Sequence, residues 1–207
     1  MKSYLRFIVL AVAALVLGGA LALMQSRPAT VVSATKSADA PMPGVSVGGP
    51  FSLTDQTGKP VTEKSWPGKY KLVFFGYTRC PDTCPATLQK LASIMQQFDP
   101  KAEKIVPLYI TVDPERDTPD VMAKYVANFS PVIVGLTGTA AQIKGVEEAY
   151  KVYAAKEPWQ SKGDYAEYVE DHSAYVYLMS PDDKLLQTFS FDDPAATMIG
   201  KIKESVK

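Results

Sequence analysis

The sequence predicts an α/β protein, on three observations. First, the apolar run Leu72-Val73-Phe74-Phe75 leads into a stretch where Leu88, Leu91, Ala92, Met95 and Phe98 recur at helical spacing. Second, the alternation repeats: Lys104 to Val112 (KIVPLYITV) is β-rich, Pro119 opens a helical pattern, Ile133 to Leu136 is β-rich, and Ala140 to Tyr150 is helical. Third, two β-rich runs near the C-terminus flank the turn Ser180-Pro-Asp-Asp. Strands uniformly apolar rather than alternating are expected in a sheet covered on both faces. Strand-helix alternation predicts parallel pairing within it. A chain of 207 residues, 46% apolar and 21% charged, has the composition of one globular domain with appendages. Its 22 basic residues balance 22 acidic ones, which argues against nucleic acid, whose binding needs a basic face.

Met1 to Met24 reads as a targeting element. Lys2 and Arg6 precede the uncharged stretch Phe7 to Met24, about 27 Å long as a helix and enough for a bilayer core. The leading positive charges place the N-terminus in the cytoplasm and the rest of the chain outside. Residues 1–24 are therefore expected to be a single membrane anchor, the alternative being a secretory signal cleaved near Ala20-Leu21-Ala22. Residues 25–49, rich in Ser, Thr, Ala, Pro and Gly, read as a flexible tether. The globular domain is expected from 50 to 207.

Within the domain, Phe51-Ser-Leu-Thr and Pro60-Val61-Thr62 flank the turn Asp55-Gln-Thr-Gly58, an N-terminal hairpin on which Trp66 is expected to pack. The first buried strand is followed by the turn Gly76-Tyr-Thr-Arg79 and by Cys80 and Cys84, the only cysteines in the chain. Pro85 signals a helix start. Asp113 to Pro119 is a loop, with Pro119 opening a helix to about Phe129. Ile143, Val146, Glu147 and Tyr150 share one face of the next helix. Lys151 to Lys156 is a candidate strand, Glu157 to Glu170 a polar loop, Ser173 to Met179 and Leu185 to Phe191 a hairpin, and Pro194 onward a last helix. Strand-helix-strand-helix-strand followed by a hairpin and a helix is a thioredoxin-like order.

The chemistry is expected where the first buried strand ends, because open α/β sheets place their sites at the carboxyl ends of strands. Both thiols fall there, in a loop running into a helix N-terminus, which favours thiolate and lowers the pKa of at least one cysteine. Such a pair serves as nucleophile, redox couple or soft metal site. Three intervening residues instead of the usual two loosen the pair toward a metal bite. Two cysteines make an incomplete site. The chain's single histidine, His172 in Glu170-Asp171-His172-Ser173, is the expected third ligand.

FGYTRCPDTCP, VDPERDTPD (Val112 to Asp120), GLTGT (Gly135 to Thr139) and DHSAYVYLMSPDDK (Asp171 to Lys184) resemble, in this order, the four blocks of the Sco family of copper chaperones for cytochrome c oxidase. Arg79 departs from the histidine of many relatives at a position that is not a metal ligand. The resemblance implies a thioredoxin-like fold and copper, Cu(I) or Cu(II), held by Cys80, Cys84 and His172. It implies delivery to the binuclear copper centre of cytochrome c oxidase subunit II, with another periplasmic copper carrier as a further partner. Soft thiolates with an imidazole suit copper, whereas structural zinc needs a fourth ligand that this chain does not supply. Asp171 is a candidate to orient the imidazole, and Tyr77 to line the site. Asp113 and Asp117, in a cluster with Glu115 and Arg116, either stand beside the metal and meet partners, or are solvated charges, with Asp117 or Thr118 capping the next helix. The enzymatic alternative is an extracytoplasmic thiol–disulfide oxidoreductase using Cys80 and Cys84 as a redox-active disulfide. A peroxidase is a weaker third reading, since it requires one activated cysteine only. The expected location is the cytoplasmic membrane, single-pass, with the domain in the periplasm.

Overall fold

The computed structural model describes residues 46–158, 168–172 and 174–206, with backbone alone for 157, 158 and 168–172. The expected anchor and the tether up to residue 45 lie outside the described residues. Among the described residues no helix is long and apolar enough to cross a membrane.

A seven-stranded mixed sheet runs in the order β2 (Pro60–Thr62), β1 (Ser52–Asp55), β5 (Val134–Thr137), β4 (Ile105–Thr111), β3 (Tyr70–Gly76), β8 (Tyr175–Met179), β9 (Leu185–Ser190), and β6 (Ala154–Pro158) and β7 (Tyr168–His172) form a separate two-stranded ribbon. The N-terminal hairpin is β1 (Ser52–Asp55) with β2 (Pro60–Thr62). Its turn is held by Asp55, whose Oδ1 accepts from the Thr57 and Lys59 N–H groups at 2.8 and 3.0 Å. β3 (Tyr70–Gly76), β4 (Ile105–Thr111) and β5 (Val134–Thr137) are mutually parallel, the expected α/β core. Leu72 to Phe75 and all of β4 are buried, as their uninterrupted apolar sequences require. β8 (Tyr175–Met179) adds antiparallel to β3 and pairs with β9 (Leu185–Ser190).

Four α-helices lie among the described residues: α1 (Thr83–Phe98), α2 (Pro119–Val126), α3 (Ala140–Tyr150) and α4 (Ala195–Ser205). α3 has the expected bounds, because Thr139 and Gln142 form a reciprocal capping box and Lys151 (φ 59°) closes it in the left-handed region. Its buried face is Ile143, Val146, Glu147 and Tyr150. Trp66 packs partly buried against the core. The chain is docked by Gly48, whose N–H donates to Ala149 O at 2.9 Å. Its φ of 94° demands glycine.

Three expectations need correction. α2 stops at Val126 rather than Phe129, because Asn128 and Phe129 turn back onto Tyr125 O and Val126 O. The strand expected from Lys151 begins at Ala154, since the left-handed Lys151 must first reverse the chain; this is β6 (Ala154–Pro158). The polar loop 157–170 is strand at both ends, with Glu157 and Pro158 in β6 and Tyr168 onward in β7 (Tyr168–His172). The β6–β7 ribbon shows no apolar alternation, so periodicity has nothing to report there.

α1 ends on Asp99, whose carboxylate accepts from the Glu103, Lys104 and Ile105 N–H groups at 2.8–2.9 Å. Burial pushes this carboxyl up, but those three donors and the Lys69 charge outweigh it and hold it below the usual carboxylate range. A depressed carboxyl contributes stability above its unfolded pKa and loses it as pH falls through the folded value. Asp99→Asn is therefore expected to cost about 1.5–3 kcal/mol near neutrality, with the difference from the parent closing below about pH 4. Urea unfolding at a series of pH values checks this; a pH-independent difference would refute the account.

Candidate dithiol and metal site

β3 delivers the chain to the site and Gly76 ends it, in register with Thr111 of β4. The N–H of Val112 donates to Gly76 O at 2.8 Å, so both strands finish at one level. A turn follows, with the Cys80 N–H on Tyr77 O at 3.3 Å. α1 begins at Thr83, two residues before the proline taken as its start signal, because the helical bonds already run from Ala86 N–H to Asp82 O. Only Cys80 is therefore in the loop; Cys84 belongs to the helix's first turn.

Cys84 is fully buried and Cys80 partly so. The Cys84 N–H, a donor in the helix's first turn, donates to Cys80 Sγ over 3.4 Å. Cys84 is not the cysteine of lowered pKa. Its hydrogen bond with Cys80, its burial and the charge of the Cys80 sulfur all push it well up. The helix end serves the outer sulfur, and the inner one keeps its proton. Gly76 leaves room for that inner sulfur: a Cβ there would stand 2.6 Å from Cys84 Sγ and 3.0 Å from the Tyr109 hydroxyl.

The loop after β4 closes the other side. Asp117 is fully buried and accepts from the Thr78 N–H at 2.9 Å, the Thr78 hydroxyl at 2.5 Å and the Thr111 hydroxyl at 2.7 Å. Burial and the neighbouring Asp113 raise its carboxyl, against the lowering effect of these donors, and burial wins. Asp113 is also fully buried and accepts from Arg116 Nε, whose guanidinium lies over the Tyr77 ring at 5.9 Å. Asp113 and Asp117 are thus not the solvated charges of one expectation. Thr118 caps α2, and makes no side-chain cap bond. Tyr77 is buried under Arg116.

His172 and Asp171 lie in β7, opposite Ala154 and Ala155 of β6. β7 precedes β8, whose Val176 pairs with Phe74, so the ribbon meets the sheet at the end where β3 releases the cysteine loop. Lys156 of β6 bonds Glu115 of the β4 loop at 2.8 Å. The structure thereby gathers at one end the cysteine loop, the Asp113–Asp117 loop and the strand carrying the histidine. Sequence reasoning missed Gly76, Thr78, Thr111 and Tyr109. The available signal was a phenol and a threonine hydroxyl in strand β4, buried on both faces, where each polar group needs a partner.

A mixed α/β sheet with a dithiol between its central strand and a helix N-terminus defines a thioredoxin-like dithiol protein. Residues 39–207 match the SCO1/SenC family, and the chain belongs to it. It is 39% identical over 199 residues to the mitochondrial protein SCO2 of Saccharomyces cerevisiae, covering 95% of this chain and 65% of that protein. It is 43% identical over 158 residues to the mitochondrial SCO1 homolog of Mus musculus, covering 75% and 55% respectively. The chain thus spans between half and two-thirds of these relatives' length. Among solved structures it resembles Bradyrhizobium japonicum ScoI with copper bound, at 41% identity and TM-score 0.68, covering 76% of this chain and 98% of that one.

Proposed function

We propose that this chain is a membrane-tethered copper chaperone that carries one copper ion on Cys80, Cys84 and His172 and delivers it to the binuclear copper centre of cytochrome c oxidase subunit II. The observation that carries this reading is the paired sulfurs, one buried and one reachable, at the end of the sheet where the histidine strand returns. Two thiolates with an imidazole form a soft donor set that suits Cu(I) and accommodates Cu(II). Copper, the cargo, needs both sulfurs deprotonated, so its binding competes with the proton on Cys84 and weakens in acid. Cys80, the more exposed sulfur, is the natural point of transfer to or from a partner, including a periplasmic copper carrier. Asp113 and Asp117 hold the loop beside the cysteines, with Tyr77 beneath it, and Asp171 is proposed to orient the His172 imidazole.

The second reading, a thiol–disulfide oxidoreductase that reduces the cysteines of the same copper centre, is favoured by the contact between the two sulfurs. His172→Ala separates the two, because it removes a metal ligand and leaves the dithiol whole. As a copper chaperone, cells carrying His172→Ala lose cytochrome c oxidase activity as fully as cells carrying Cys80→Ser. Normal oxidase activity at limiting copper would instead establish the reductase.

The stretch Phe7 to Met24 supports a single-pass anchor with the domain in the periplasm. The full-length chain is expected to stay with membranes through high-salt and alkaline washes; release of a form beginning near Leu23 would show a cleaved signal.

A further inference from the structure

We infer that, in the copper-loaded protein, the Tyr109 hydroxyl donates a hydrogen bond to the Cys84 sulfur and so biases the site toward Cu(I). This rests on the copper reading above. Tyr109 is fully buried, and its hydroxyl has no well-formed hydrogen bond among the described residues; the polar groups that face it are the Cys84 sulfur and the hydroxyl of Tyr125, itself without such a bond. A buried hydroxyl left unsatisfied is costly, and each instance calls for a reason. Its placement supplies one. Tyr109 Oη and Cys84 Sγ both lie within 3.0 Å of the point where a Gly76 Cβ would stand, so the absence of a side chain at Gly76 lets phenol and sulfur face each other. The ring is packed against Phe74 at 5.8 Å and Tyr125 at 5.7 Å between centroids, which fixes the oxygen and leaves only the O–H rotor free. A phenol keeps its hydrogen at neutral pH and so can donate.

A neutral thiol is a weak acceptor. Copper-bound sulfur has lost its hydrogen and carries negative charge, and bonds to such acceptors are the strong ones. The charge is greater on the sulfur of Cu(I), whose ion withdraws less. A donor there stabilises Cu(I) over Cu(II), in keeping with the way hydrogen bonds to a cysteine sulfur tune copper potentials. Tyr109 is therefore a positioning and tuning residue, and the copper ligands remain those proposed.

The test uses the full-length chain and its Tyr109→Phe variant, each loaded with Cu(I) and with Cu(II). The variant keeps the ring and loses only the oxygen. It is expected to bind Cu(I) about tenfold more weakly with little change for Cu(II). That tenfold difference lowers the one-electron potential by about 59 mV, and the sulfur-to-Cu(II) charge-transfer band moves to lower energy. The copper-free variant is at least as stable as the parent, since an unpaired buried hydroxyl has gone. An unchanged potential and band with normal copper uptake would overturn the inference and leave the copper reading intact. Equal weakening of both oxidation states, with a less stable copper-free protein, would mark Tyr109 as a packing residue and also overturn it. Failure of the parent chain to take up copper would overturn both readings together.

Discussion

Cys84→Ser is expected to weaken copper binding by about 100-fold or more, and Cys80→Ser by as much. Metal ligation by the four donors of a small zinc site is worth about 10–16 kcal/mol, so one ligand accounts for about 2.5–4 kcal/mol. A serine hydroxyl does not replace it, because it is a hard donor that stays protonated at neutral pH. Neither substitution should unfold the domain. Cys80 is partly exposed, and the Cys84 side chain is nearly isosteric with serine in a pocket that already holds the Tyr109 hydroxyl. Competition titration against a Cu(I) chelator measures the affinity, with thermal unfolding as the control for folding. Retention of the parent affinity by either variant would show that the sulfur in question is not a ligand.

The largest effect on stability is expected from Asp117→Ala. This carboxylate ties Thr78 of the cysteine loop to Thr111 at the end of β4, through three hydrogen bonds in a fully buried position. Its removal strands a backbone N–H and two hydroxyls, a cost of about 3–4 kcal/mol once the hydroxyls turn to other acceptors or water. Asp117→Asn keeps one oxygen that accepts from both the Thr78 N–H and the Thr111 hydroxyl, and its NH₂ faces the Thr78 hydroxyl, which also accepts. Because burial already disfavours the charge of Asp117, losing that charge is cheap, and the cost is expected near 1 kcal/mol. The loop beside Thr78 carries Cys80, so Asp117→Ala should also loosen copper binding where Asp117→Asn does not. Denaturant midpoints of the two variants decide; equal losses would place the effect in the charge instead of the bonding geometry.

The parts of the fold that were legible share a cause. Leu72 to Phe75 of β3 and Ile105 to Ile110 of β4 are apolar without interruption because helices and sheet neighbours bury both faces, and α3 shows its buried face as Ile143, Val146, Glu147 and Tyr150 at helical spacing. The β6–β7 ribbon was not legible, since a two-stranded element pairs backbone to backbone and asks no periodicity of its side chains. The start of α1 misled for a local reason: Pro85 is tolerated anywhere in the first turn, so it marks the turn and not the residue. At the site, the cysteines and the histidine were visible because they are scarce. The roles of Asp113 and Asp117 were not, because an acidic loop before a helix reads equally as solvated caps, and only the fold shows both carboxylates buried. The proton on Cys84 was invisible for a similar reason. Helix position alone predicts a lowered pKa, and burial beside a second sulfur reverses it.

The central claim is that copper is held by Cys80, Cys84 and His172, and X-ray absorption of the Cu(I)-loaded full-length chain tests it most directly. The expected spectrum has two sulfur neighbours and one imidazole nitrogen, at about 2.3 and 2.0 Å if zinc distances are a guide, and the imidazole contribution disappears in His172→Ala. A spectrum of sulfur alone that His172→Ala leaves unchanged would contradict the three-ligand site.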